Sequence, residues 1–229
     1  MTFLGEAFVS AVRLLVTVDP RVVAAAAVSV KVSVVATLLA AMIGVPIGFT
    51  VAARRFRGRR ALEVTLNTLT ALPTVVVGLL AYALLSRRGP LGAWGLLYTQ
   101  PAMVFGEMIL VMPLLAALTM GVVSGADPRI EETALTLGAS RLGAALTVLA
   151  ELHWGVLVGI IAGFGRLISE LGVALMVGGN IKDATRTMTT AIALESSKGD
   201  FAFGFALGLI LLALALAVNL GLAVLSPRK

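Results

Sequence analysis

Apolar residues run through this chain in long stretches, with neither the alternation of a strand nor the broad polar face of a soluble helix. A helix needs about 20 mostly apolar residues to cross about 30 Å of hydrocarbon. Three charge-free runs reach that length, 32–53, 64–86 and 201–227. Two more carry charge: 101–126 holds Glu107 near one end, and 152–181 holds Arg166 and Glu170 near its middle. The pattern predicts an all-α, polytopic membrane protein with five transmembrane helices in a membrane domain over 21–229.

Residues 1–20 differ. Phe3, Leu4, Phe8, Val12, Leu15 and Val16 alternate with Glu6 and Arg13, and the apolar run is too short to span. No small-residue cleavage site follows a basic segment, so a signal peptide is not expected. The pattern predicts an amphipathic helix at the membrane interface, ended by Asp19-Pro20, which also start the next helix.

Composition agrees with the pattern. Hydrophobic residues make up 59% of the 229 and charged residues 13%, against about a quarter charged in soluble domains. No cysteine is present, which excludes disulfides, thiol catalysis and Cys-based zinc sites. Residues 54–60 carry five Arg in seven positions, and such clusters stay cytoplasmic. With five crossings this puts the N-terminus outside, and the C-terminus and the segment about 126–151 inside. The total is less one-sided: nine Lys/Arg fall inside, eight outside, and Arg166 lies within a span. The net charge of +6 therefore reflects topology and contact with membrane lipid; attraction of an anionic solute is the sharper alternative, and nucleic acid is not expected.

The outside loops read as compact. Gly89-Pro90, Gly92 and Gly95 interrupt 87–99, where Trp94 and Tyr98 suit a membrane interface. Gly178-Gly179-Asn180 is a turn signal, and the polar, Thr/Ser-rich stretch 181–200 reads as a loop. Pro46, Pro73 and Pro113 lie inside spans and read as packing kinks, with a hinge as the alternative. Lys31 is expected to snorkel outward. His153, the single histidine, has no Cys or carboxylate cluster at ligand spacing and reads as interfacial.

The stretch 127–141 carries the clearest local signal. Asp127 suits an N-cap and Pro128 the first helical position. Glu131 and Glu132 follow where the helix dipole favours negative charge. Ile130, Ala134 and Leu137 fall at i, i+4 and i+7, one apolar stripe. Gly138 then breaks the helix and Ala139-Ser140 start another. The result is a helix, elbow and helix held between two spans.

Arg166 and Glu170, four apart, would share a helix face. Each costs about 2.5–3.5 kcal/mol near the bilayer centre, so they pair or face water. The structural reading is a salt bridge that pins the bundle. The functional reading is a gate or an anion-path lining that includes Ser169 and Asn180. A stand-alone ion-coupled carrier or channel would need charge at the midplane, and these two residues are its only candidates. No paired carboxylates, nucleophile elbow or metal motif suggests an enzyme.

Glu132-Thr133-Ala134, then Gly138 after three intervening residues and Val148 after nine more, resemble the Glu-Ala-Ala coupling loop of ABC-importer permeases. Thr133, Val148 and Ala150-Glu151 depart from that motif, so its end is degenerate. The segments 67–82, 89–92 and 163–181 resemble the molybdate, tungstate and sulfate permeases. Ser169-Glu170-Leu171-Gly172, followed by 185–195, looks closer to the tungstate type. The resemblance implies the type I importer permease fold and a homodimer in a prokaryotic inner membrane. It implies two cytoplasmic ABC ATPase subunits that bind ATP and Mg, since this chain has no phosphate-cradling Gly-x-x-x-x-Gly-Lys loop and carries no cofactor. It also implies an extracytoplasmic oxyanion-binding protein. Ile130, Glu131, Glu132, Ala134, Leu137, Gly138, Ala139 and Ser140 would then form the ATPase-coupling loop.

Overall fold

Asp19 caps a helix as its position predicts. In the computed structural model, which describes residues 3–54 and 56–225, its carboxylate accepts from the Arg21 N–H at 2.8 Å and pairs with the Arg21 guanidinium at 3.0 Å. Pro20 follows at the first helical position, where a missing N–H costs nothing. Helix α2 runs from there without a break, Pro20–Ala53, 34 residues or about 51 Å at 1.5 Å per residue. It starts well before the expected span at 32. Of the terminal and loop basic residues that set the expected topology, Arg55, Arg228 and Lys229 lie outside the described residues.

Eleven α-helices and no strand occur among the described residues. Three are long and apolar enough to cross a membrane: α2, α5 (Gln100–Ser124) and α11 (Phe201–Leu225). Two bent pairs bring the number to five if each counts as one span. These pairs are α3 (Arg59–Thr70) with α4 (Thr74–Leu85), bent by 99°, and α7 (Arg141–Glu151) with α8 (His153–Ile168), bent by 66°. The expected spans 64–86 and 152–181 are therefore not single helices. The first breaks at Ala71-Leu72-Pro73. Pro73 offers no N–H and disfavours helical geometry at Leu72, and here the chain turns instead of kinking. Pro46 and Pro113 stay inside unbroken helices.

Helices α2 and α5 run parallel along a seam of small residues. Gly44 sits beside Met112 and Leu115, and Gly48 beside Ala116 and Thr119. A Cβ on Gly48 would run into the Ala116 carbonyl oxygen, so the close approach depends on glycine. Helix α8 returns antiparallel on α5, with Gly155, Gly159 and Gly163 against Val122, Leu118 and Leu115. Helix α9 (Gly172–Gly178) lies between α4 and α5, and Val173, Ala174 and Val177 are fully buried. One apolar core joins α2, α4, α5, α8 and α9.

A second core joins α1 (Phe3–Val16), α10 (Met188–Lys198) and α11 to α2 and α8. Within the segment 1–20, helix α1 runs from Phe3 to Val16, and it packs along α11 through Ala11, Leu14 and Leu15. Helix α10 corrects the reading of 181–200 as a loop. The segment 87–99 is short and structured, with a 3-10 turn at Gly92–Trp94.

Candidate functional site

At the end of the bundle where α2 and α5 finish, α6 (Arg129–Thr136) and α7 form a hairpin. Asp127 Oδ1 accepts from the Arg129 N–H at 2.9 Å, so the helix starts one residue later than Pro128. It ends at Thr136, before Leu137. Gly138 turns the chain with φ +89°, a conformation that a Cβ disfavours. The Gly138 and Ala139 N–H groups donate back to the Leu135 and Ala134 carbonyls, both at 3.0 Å. Ser140 then caps α7, its Oγ accepting from Gly143 N–H at 3.1 Å.

The expected stripe divides. Ala134 is buried, Ile130 is half-buried, and Leu137 leaves the helix to stand 83% exposed. With Leu142 at 72% and Leu146 at 57% it makes an apolar tip that none of the described residues covers. Glu131, Glu132 and Ser140 are exposed and Ala139 is half-buried. The sequence located the elbow; periodicity misplaced Leu137 because it assumed that the helix continues.

The second group surrounds a break between α8 and α9, at Ser169-Glu170-Leu171. Arg166 is on the last turn of α8 and Glu170 lies beyond its end, so they do not share a helix face as their spacing suggested. They pair nonetheless, Nη1 to Oε2 at 2.8 Å. Glu170 is buried, whereas the Arg166 side chain is 43% exposed. The other carboxylate oxygen of Glu170 accepts from the Gly172 and Val173 N–H groups at 2.8 and 3.3 Å. Glu170 thus caps α9 while holding Arg166, and the local bonds compete with continuation of the helix. Ser169 is exposed.

Gly172 meets the start of α4: a Cβ there would stand 2.6 Å from Thr74 Oγ1 and 3.1 Å from the Val75 nitrogen. The breaks in the two discontinuous spans therefore adjoin. Ala71, Leu72, Pro73, Ser169 and Leu171 are all exposed in the single chain, as are Asn67 and Thr70 before the bend. Asn180 is not part of this group. It sits in the turn after α9 with φ +52°, its Nδ2 donating to the Thr190 carbonyl at 3.3 Å and its Oδ1 accepting from Arg186 Nε at 3.2 Å.

Glu107 and Thr189 are among the buried polar side chains that have no assigned role in the sequence reading. Glu107 on α5 is 2% exposed; the Ser33 hydroxyl faces it, and its Oε2 has no hydrogen-bond partner. A lone carboxylate in an apolar run was the signal for it. Thr189 on α10 donates to the Glu170 carbonyl at 2.7 Å. Its stretch read as surface because threonine is mostly exposed. His153 Nδ1 lies 2.6 Å from the Ala150 carbonyl and its ring is 4.8 Å from that of Trp154. Among the described residues no three His, Asp or Glu side chains come together to hold a metal ion.

The family of binding-protein-dependent transport system inner membrane components matches residues 44–229, most of the chain. The chain belongs to that family. As a transport component of this kind it has relatives over most of its length. It is 40% identical over 201 residues to a tungstate uptake system permease protein from Peptoclostridium acidaminophilum, covering 88% of each chain. It is 40% identical over 179 residues to a probable anion ABC transporter permease protein from Haloferax volcanii, covering 76% of this chain and 77% of the other. A tungstate uptake system permease protein from Campylobacter jejuni is 37% identical over 202 residues, covering 88% and 84%.

Proposed function

We propose that this chain is the permease subunit of an ATP-driven importer of tungstate or a related tetrahedral oxyanion such as molybdate. The observation that carries the reading is the 40% identity, over 88% of both chains, to a permease named for tungstate uptake. The subunit is not itself catalytic; two cytoplasmic ABC ATPases bind ATP and Mg and supply the energy. Their docking surface is the α6–α7 hairpin, with Leu137 and Leu142 as apolar contacts and Glu132 as a polar anchor. Coupling requires two states that differ in their contacts at this hairpin. The hairpin end is cytoplasmic, the end bearing Trp94, Tyr98 and Asn180 is external, and an oxyanion-binding protein delivers solute there.

The path lies between two copies of the chain. Non-helical backbone at membrane depth is tolerated only against protein or water, and the paired breaks expose theirs. Arg166 and Ser169 face the path, and Glu170 holds Arg166 in place. A guanidinium carries five N–H donors, and only Nη1 is used on Glu170, so the rest remain for an oxyanion.

The test is tungstate uptake into vesicles that hold the chain, its ATPases and the external binding protein. Uptake should require internal ATP. Uptake without ATPase, or its collapse on adding a proton ionophore at constant ATP, would overturn the reading in favour of an ion-coupled carrier.

A further inference from the structure

Glu170 makes all its hydrogen bonds but one within its own stretch of chain: to Leu167, Arg166, Gly172 and Val173. The exception comes from α10, where Thr189 Oγ1 donates to the Glu170 carbonyl at 2.7 Å. A chain break leaves carbonyls without helical partners, and buried ones must find another. Thr189 fills that need at the break between α8 and α9.

The start of α10 is held firmly. The Thr187 and Thr190 side chains each accept from the other's N–H, at 3.2 and 2.9 Å. The Met188 N–H donates to Ser29 Oγ on α2 at 2.8 Å. Thr187, Thr189 and Thr190 are buried. The far end of α10 and the turn before it are open to solvent, and polar contacts connect them to the buried end. Glu195 lies 3.2 Å from exposed Lys198 and 3.8 Å from Arg186. Arg186 holds Asn180, and Asn180 holds the Thr190 carbonyl. These contacts run from an exposed surface to the Thr190 carbonyl, and Thr189, the next residue back along the chain, holds the carbonyl of Glu170, the partner of Arg166.

We propose that Thr189 is a positioning residue, the joint through which displacement of the 179–198 segment moves the break at 169–171. The inference rests on the reading of that break as the gate. A shift of α10 leaves the Glu170 carbonyl unpaired unless Glu170 moves too, and Glu170 takes Arg166 and the start of α9 with it. Thr189 itself touches no solute; its effect passes through Glu170.

The chain has no cysteine, so one introduced thiol reports alone. The full chain bearing Ser169→Cys, reconstituted in lipid vesicles, is alkylated with a water-soluble maleimide. Leu137→Cys, on the hairpin, is the control in a separate preparation. Thr189→Val should raise the Ser169→Cys rate about three- to tenfold, the range one hydrogen bond sets. Thr189→Ser, which keeps the hydroxyl, should stay within about twofold of the parent. Arg186→Gln, which cuts the link between Glu195 and Asn180, should also raise it. Leu137→Cys should label at one rate throughout. An unchanged rate in Thr189→Val or in Arg186→Gln overturns the link and leaves the gate reading intact, and a parallel rise at Leu137→Cys reduces the effect to general loosening and overturns it too. No labelling of Ser169→Cys in any background shows that water never reaches the break, which removes the gate reading and the link together.

Discussion

Gly172 and Thr74 touch directly: a Cβ on Gly172 would come within 2.6 Å of the Thr74 hydroxyl oxygen. The first turns of α9 and α4 meet there, the Thr74 side chain and the Val75 backbone lying against Gly172. Gly172→Val should lose about 1–3 kcal/mol by overpacking. Gly121, inside α5, has nothing within 4 Å of a Cβ, so Gly121→Ala should gain about 0.5–1 kcal/mol from helix propensity. Chemical unfolding of the two variants in the same detergent checks the difference in sign.

Glu170 and Arg166 should respond unequally to replacement. Glu170→Ala removes the acceptor of two backbone N–H groups in a buried place, a loss of about 2–4 kcal/mol. Glu170→Gln keeps an acceptor oxygen and should lose less. Arg166 is 43% exposed, so its pair is discounted for solvent, and Arg166→Gln should cost under about 1 kcal/mol. On the proposed reading Arg166→Gln still abolishes oxyanion uptake. Unfolding and uptake measured on the same variants separate the two effects.

The hairpin should tolerate changes that its partners do not. Leu137 is 83% exposed, so Leu137→Asp should alter stability by at most about 0.5 kcal/mol. Gly138→Val forces a branched residue into φ +89° and costs roughly 1–2 kcal/mol locally. Both variants should insert normally yet hold the ATPase subunits on the order of tenfold more weakly. Quantitative co-purification at fixed subunit ratio measures this.

Tyr98 sets an alkaline limit. The Tyr82 phenol beside it pushes its pKa above the ordinary tyrosine value of 10.0. The folded state thus favours the protonated phenol. That contribution is complete below the unfolded pKa and is lost as pH rises through the folded one. Stability should fall above about pH 10, and Tyr98→Phe should flatten the fall. Unfolding midpoints from pH 8 to 11.5 test it.

What the sequence revealed depended on how local each determinant is. The apolar runs behind α2, α5 and α11 are visible to any composition window. Gly138 is legible because a left-handed turn selects glycine. The break at 169–171 is not, because hydropathy continues through it and its cause is a carboxylate folding back on two N–H groups. Pro73 was visible, yet the choice between kink and turn rests on how α4 packs against α9. The 187–190 threonines read as surface because their burial is made possible by one another, by Ser29 and by Glu170, which are far apart in sequence. Leu137 was misassigned by a single residue of helix length.

Compliance in this bundle is unevenly distributed. The parallel α2–α5 pair is unbroken and sealed by backbone contact, so it resists shear as one beam. The spans beside it are jointed, and their joints coincide where Thr74 meets Gly172. A force applied at either end is therefore concentrated on a few torsions at that crossing, and on the proposed reading small strokes there suffice to alter the bore.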